Sequence, residues 1–282
     1  MQTRLGTASE RPREPALAAP LPADRLRTCA APERAGTFAA VYDEVLTGIL
    51  RDHREGKRSL LLGANDKIAR FVRGTIGRGR RVLEIGCGFG RTALEVGRGQ
   101  SEMFGVDASQ VGIDAARQAA AGRPECGFAV MDAGDLRFPD GRFDAAYSID
   151  VVEHLHPDDV GRHLAEVHRV LRSGGIYIVK TPSDLTGPHE GSDPGTQGFL
   201  HFQEYRYGTF MPLLRAAGFS RLRSPAFSMR ITCRLPGPPR LPSAANLLPE
   251  SLALMVPYRS RACRRIARVL GVKQVVIAAT KS

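Results

Sequence analysis

The chain has 282 residues, 43% of them hydrophobic and 24% charged, the proportions of a globular protein long enough to bury a proper core. A net charge of +11 and a pI near 10.0 point either to anionic partners or to a general arginine bias in composition. Five scattered cysteines, Cys29, Cys87, Cys126, Cys233 and Cys263, with no CxxC pair, argue against a disulfide framework and a cysteine zinc site. No apolar run reaches the ~18 residues of a membrane span. The N-terminus also lacks the apolar core of a secretory signal, so the expected compartment is the cytoplasm.

Residues 1–35 are rich in Pro, Ala, Arg and Glu. They cannot bury enough apolar surface to offset the entropy of ordering and are expected to form a disordered tail. Residues 36–80 are expected to hold N-terminal helices that pack on the sheet edge or lid a ligand. Phe38, Val41, Tyr42, Val45, Ile49 and Leu50 fall at helical spacing, as do Ile68, Phe71 and Val72, and Tyr42 reads as a core residue.

From Arg81 the pattern alternates, giving a core over 81–224. Strands are expected at Val82–Ile85, Met103–Val106, Gly127–Met131, Phe143–Ile149, Ile176–Thr181 and Phe219–Arg223. Between them lie a helix from Gln110 capped by Ser109, a helix from Pro157 through Leu171 ended by Gly174-Gly175, and a helix from Thr209 to Ala217. The Gly/Pro-rich stretch 183–200 is longer than a connection needs and is a candidate functional loop. Residues 225–272 read as a substrate-cap insertion, and 273–282 as the last core strand. Within the insertion, apolar Leu247–Val256 precedes a basic helix over Arg259–Leu270. That pairing is consistent either with a cap whose charged face is wet or with peripheral membrane contact through 245–270. The whole is an α/β, doubly wound sheet with both faces covered.

In such a sheet a ligand sits beyond the carboxyl ends of the strands. The turn Gly86-Cys87-Gly88-Phe89-Gly90 allows backbone to approach it closely. Asp107, ending the second strand, can accept both hydroxyls of a ribose. Asp132 can accept from an exocyclic amine, the Ala133 amide can serve a ring nitrogen, and Glu84 can hold an ammonium group. Arg91 stands where a dinucleotide fingerprint has its third glycine, and no Gly-Lys-Ser/Thr phosphate loop is present, so neither NAD nor a P-loop nucleotide fits.

The stretch Val82–Gly90 resembles the first motif of class I S-adenosylmethionine-dependent methyltransferases. Gly105–Ser109 is similar to that family's ribose motif, and Asp132–Leu136 with Pro139–Asp144 to its adenine segment and fourth strand. Leu171–Gly175 and Leu213–Phe219 are similar to its later turns. The resemblance implies a Rossmann-like, seven-stranded sheet, mostly parallel with an antiparallel last strand, and S-adenosylmethionine as cofactor. It implies cofactor contacts at Glu84, Gly86, Cys87, Gly88, Gly90, Asp107, Ala108, Asp132, Ala133, Ile149 and Asp150, and methyl transfer to a small-molecule acceptor.

Asp150-Val151-Val152-Glu153-His154 resembles the E-x-x-E-H signature of ubiquinone-pathway O-methyltransferases and of small-RNA 2′-O-methyltransferases, with Asp150 in place of the first Glu. On a helical turn Asp150, Glu153 and His154 would share one face, with His201 beyond the fifth strand. Two uses stay open: a divalent metal held by Asp150, Glu153, His154 and His201, or general acid–base work by His154 or His201 with Asp150 beside them. His189 is a weaker candidate, and His53, His156, His163 and His168 read as solvated. The expected activity is O-methylation in specialised-metabolite or cofactor biosynthesis. Alternatives are metal-assisted RNA 2′-O-methylation, a lipid-linked substrate at a membrane surface, and cofactor binding without turnover. No RNA-binding module with interleaved aromatics supports a nucleic-acid partner.

Overall fold

The computed structural model describes Leu26 and residues 29–56, 66–182, 201–203, 205–223 and 274–282. Seven strands, β1 (Arg81–Ile85), β2 (Glu102–Asp107), β3 (Cys126–Val130), β4 (Phe143–Ile149), β5 (Leu171–Pro182), β6 (Phe219–Arg223) and β7 (Gln274–Lys281), form one sheet. Its order is β3-β2-β1-β4-β5-β7-β6, and β7 runs antiparallel to both β5 and β6, as the resemblance implied. The helices are α1 (Arg34–Arg54), α2 (Asp66–Ile76), α3 (Arg91–Gly97), α4 (Gln110–Ala119), α5 (Pro157–Val170) and α6 (Tyr207–Ala216).

Val82 to Ile85 of β1 are all buried, the acid Glu84 included, because both faces of the strand are covered. Leu83 and Ile85 point to one face and belong to the buried cluster that includes Val160, Leu164 and Val167 of α5 and Phe210 and Leu214 of α6. Val82 points to the other, under Ile68 and Val72 of α2, Val96 of α3 and Ile113 of α4. This period-two alternation turns one short sequence into the centre of a three-layer structure. The chain leaves β1 toward β2 and β3, then crosses back to β4 on the other side. The carboxyl ends of β1, β2 and β4 therefore surround the point where strand order reverses, the place such sheets bind ligands.

Ser109 caps α4, accepting from Gly112 N–H at 3.0 Å, as expected. Several boundaries differ, and two of them change the reading of the fold. Helix α5 ends at Val170, before the glycine pair, because Leu171 turns extended and pairs with Phe143. Gly174 then adopts a φ of 73° inside a register shift on β5, so the glycines shape a strand irregularity rather than a helix end. At the other end, Leu26 is buried against Val41, and a 3-10 turn at Ala31–Glu33 leads into α1. These residues fall in the span expected to be a tail, and they belong to the fold. The loop 183–200 with His189, and the insertion 225–272 with its stretch 245–270, lie outside the described residues. Among the described residues no helix is long and apolar enough to cross a membrane.

Gly90 and Gly88 allow a stability test. Gly90 has φ 71°, and a Cβ there would lie 2.8 Å from Ala116 Cβ and 2.9 Å from the Phe128 ring. Gly90→Ala should lower unfolding free energy by about 2–4 kcal/mol, combining backbone strain with overpacking. Gly88 has φ 48° with nothing within 4 Å of its missing Cβ. Gly88→Ala should lose only the strain, roughly 1–2 kcal/mol in denaturant unfolding.

Candidate active site

The chain leaves β4 through Asp150, whose φ of 53° turns it sharply. The Lys180 ammonium, buried on β5, donates to both carboxylate oxygens of Asp150 at 2.7 and 2.6 Å, and Asp150 N–H donates to Lys180 C=O at 2.8 Å. The turn lays Val151 on Gly86, where a Cβ would come within 2.4 Å of Val151 Cγ2. Any side chain at 86 would push these two loops apart. A 3-10 turn over Val152–His154 follows, instead of the helical face expected from the sequence.

That geometry separates the four residues grouped as metal ligands. Glu153, His154 and His201 come together, their ligand atoms within 4.8 Å of one another. Asp150 does not join them, because its carboxylate is held by Lys180. The His154 and His201 rings meet edge to face at 4.7 Å. Glu153 is fully buried. Its Oε2 accepts from Thr181 Oγ1 at 2.8 Å, its Oε1 has no hydrogen-bond partner among the described residues, and Oε1 lies 4.0 Å from His154 Nε2. Burial, reinforced by the Asp150 charge, raises its pKa to about 8. Glu153 C=O also accepts from Phe202 N–H at 2.8 Å, which fixes the segment carrying His201.

Asp150, Val151, His154 and Phe202 border a cleft that opens to solvent. At one end Asp107 accepts from Gly88 N–H at 2.8 Å and from Ser109 N–H at 2.9 Å. A carboxylate has about four acceptor directions, so two remain for the hydroxyls of a ribose. Next to it, past the end of β3, Asp132 Oδ1 accepts from Gly134 N–H at 2.7 Å, with Arg162 Nη2 at 3.6 Å. Among the described residues nothing bonds to Asp132 Oδ2 or to Ala133 N–H. An acceptor and a donor on consecutive residues of the cleft wall match an adenine edge, whose amine donates and whose ring nitrogen accepts. The donor set thus fits an adenosyl group.

Of the residues singled out in the sequence, Gly86, Asp107, Ala108, Asp132, Ala133, Asp150 and His154 line the cleft. The other cofactor candidates sit behind it. Cys87 is buried, with its Sγ 3.8 Å from Gly88 C=O, and burial pushes its thiol pKa up. Gly90 supports α3, and Ile149 packs against the core. Glu84 is buried on the face of Val82, facing the Tyr147 hydroxyl and the Ala93 amide. Its Oε2 has no partner among the described residues, and burial raises its pKa to about 8.

Several wall residues escaped the sequence. Tyr42 of α1 is half-buried, stacks on Phe38 at 4.5 Å and meets His154 edge-on at 5.8 Å, so it lines the cleft as well as packing. Burial beside Asp107 and Glu153 pushes its phenol pKa up. Asp43 accepts from Ser109 Oγ at 2.5 Å and Val111 N–H at 3.1 Å, tying α1 to the start of α4. Arg34 bonds His156 and Asp159, joining α1 to α5. Of the histidines read as solvated, His53 is exposed, His156 caps α5, His168 packs on Phe219, and His163 is fully buried. The contacts of Asp43, of Arg34 and of Tyr42 with His154 join residues distant in sequence, and local periodicity carries no trace of them.

Residues 83–179 match the family model described as a methyltransferase domain. A probable S-adenosylmethionine-dependent methyltransferase of Mycolicibacterium smegmatis is 32% identical over 141 residues, 50% of this chain and 52% of that protein. A ubiquinone biosynthesis O-methyltransferase of Mesorhizobium japonicum is 35% identical over 104 residues, 36% of this chain and 41% of that one. Burkholderia thailandensis 1,6-didemethyltoxoflavin-N1-methyltransferase, solved with 1,6-didemethyltoxoflavin and S-adenosylhomocysteine, aligns at a TM-score of 0.56 and 20% identity. That alignment covers 90% of this chain and 92% of the other, and it shows a shared fold. The chain spans about half, or less, of the length of the curated relatives it matches.

The buried Glu84 gives a pH test. Its folded pKa of about 8 exceeds the ordinary 4.5, so between those values the folded state holds a proton the unfolded state has lost. Its contribution to stability therefore falls as pH rises through that window. Glu84→Gln, which copies the neutral acid, should gain stability relative to the natural chain steadily from pH 5 to pH 8. Parallel stability profiles for the two proteins would contradict this assignment.

Proposed function

This chain carries a class I S-adenosylmethionine-dependent methyltransferase domain, and on that premise we propose that it methylates a hydroxyl oxygen of a small aromatic acceptor. The observation that carries the proposal is the group Glu153, His154 and His201 set against the aromatic wall of the cleft that holds Asp107 and Asp132. S-adenosylmethionine, when bound, supplies a methyl group made electrophilic by its sulfonium.

The chain's own residues do the rest. Asp107 is placed for the ribose, and Asp132 with Ala133 for the adenine. Phe38, Tyr42 and Phe202, rings on one side of the cleft, suit a flat apolar acceptor and exclude water. Holding the acceptor oxygen in line with the methyl accounts for much of the rate. The oxygen must also lose its proton, and His154 is the base offered by this wall. Glu153 Oε1, 4.0 Å from its Nε2, faces the positive charge that forms on the imidazole. Biosynthesis of a specialised metabolite or of a cofactor is the setting such chemistry fits.

A second reading rests on the same three side chains: one carboxylate and two imidazoles are a ligand set for a divalent cation, which would acidify the acceptor directly. Asp150 would not contribute, since Lys180 engages it.

Turnover of a phenol or catechol panel separates the two. His154→Gln should lower kcat by about 100- to 1,000-fold while leaving cofactor affinity within about threefold. Exhaustive chelation should leave the natural chain's turnover undiminished. Loss on chelation, restored by a divalent cation, would replace the general-base reading with the metal one, and methylation of amines but not phenols would overturn the oxygen acceptor.

A further inference from the structure

His163 lies beneath the adenine end of the cleft, in a chain of hydrogen bonds that no part of the proposed chemistry uses. It is fully buried on α5, and its Nδ1 is 2.9 Å from Ala133 C=O. A carbonyl can only accept, so Nδ1 carries the hydrogen. Nε2 is 3.2 Å from the Tyr177 hydroxyl, which is itself 2.6 Å from Ser148 Oγ. The bonds then run one way: Ser148 donates to Tyr177, Tyr177 to His163, and His163 to Ala133. Tyr177 and Ser148 are also fully buried. Burial lowers the imidazole's pKa, in keeping with the neutral tautomer that this direction requires.

The far end of the chain is the peptide joining Ala133 to Gly134. His163 holds its oxygen, and its N–H donates to Asp132 Oδ1 at 2.7 Å. The peptide is thus clamped at both ends, which fixes Asp132 Oδ1 and the Ala133 backbone where both residues line the cleft. A side chain at 134 would intrude here, since a Cβ would lie 3.1 Å from Asp132 Oδ1 and 2.9 Å from the Arg162 guanidinium.

We propose that His163 is a positioning residue for base recognition: through the Ala133–Gly134 peptide it fixes the acceptor–donor pair of Asp132 and Ala133, and so sets the preference for adenine over hypoxanthine. The proposal rests on the S-adenosylmethionine reading of the cleft. A hypoxanthine edge puts a carbonyl against the carboxylate and an N–H against the Ala133 N–H. A rigid peptide rejects it, whereas a loosened one can turn to relieve the mismatch. Packing alone would not distinguish the two bases.

Calorimetric titration of the full chain with S-adenosylhomocysteine and S-inosylhomocysteine tests this. The natural chain should prefer the adenine compound by about 30-fold or more, two mismatched hydrogen-bonding positions being at stake. His163→Leu should weaken S-adenosylhomocysteine by about tenfold and shrink the preference at least about threefold. His163→Asn, whose amide can still donate to Ala133 C=O, should keep both within about threefold of the natural values. Tyr177→Phe, which preserves volume and frees His163 Nε2, should shrink the preference by less than His163→Leu. If His163→Leu does not fold, His163→Asn and Tyr177→Phe carry the comparison. An unchanged preference in His163→Leu or in Tyr177→Phe, or an equal loss in His163→Asn and His163→Leu, would overturn the positioning role. Failure of the natural chain to bind either compound would overturn the cofactor reading itself.

Discussion

The contact between Gly86 and Val151 is the constraint on which the site depends. Strands β1 and β4 are neighbours, and the chain leaves them in opposite directions around the sheet. Their outgoing loops must cross where the ligand lies, and they do so with room for a hydrogen atom and nothing larger on residue 86. The turn at Asp150 makes the crossing possible, and Lys180 holds that turn with an ammonium buried against the carboxylate. From this crossing the glycine turn runs to Asp107 on one side, and the 3-10 turn delivers His154 on the other.

The site is also a place where acids are taken out of water. Glu84 and Glu153 are buried, and burial raises Asp107 as well. Each meets the cost differently. Asp107 gathers backbone N–H groups from Gly88 and Ser109, which favour its charged form. Glu153 has one hydroxyl donor and one oxygen without a partner among the described residues. Glu84 lies behind the glycine turn and touches nothing in the cleft, which suits a structural acid better than a ligand for an ammonium group. Perturbed carboxyls beside a cleft mark functional sites more often than chance. Here they also separate the acid that faces ligand from the acid that supports the turn.

The doubly wound α/β sheet and most of its strands were legible in the sequence, because they rest on local signals. An apolar run buried on both faces, glycines at alternate positions and acids at strand ends each report a short-range requirement. The antiparallel β7 came from family resemblance, since no periodicity reveals strand direction. The acceptor side was legible only in part. The spacing of Asp150, Glu153 and His154 reads as one helical face, yet a positive φ at Asp150 and a buried lysine thirty positions on send the first of them elsewhere. His163 reads as solvated because its neighbours on α5 are charged, while its partners are Ala133, just past β3, and Tyr177 within β5. Asp43 and Arg34 fasten α1 through partners still farther along the chain, Ser109 and Asp159.

The most direct measurement is a crystal structure of the full chain with S-adenosylhomocysteine. The account predicts the ribose hydroxyls on Asp107, the adenine amine on Asp132 Oδ2 with its ring nitrogen on Ala133 N–H, and the sulfur facing His154. An adenosyl group seated elsewhere, or a sulfur directed away from His154 and His201, would contradict it.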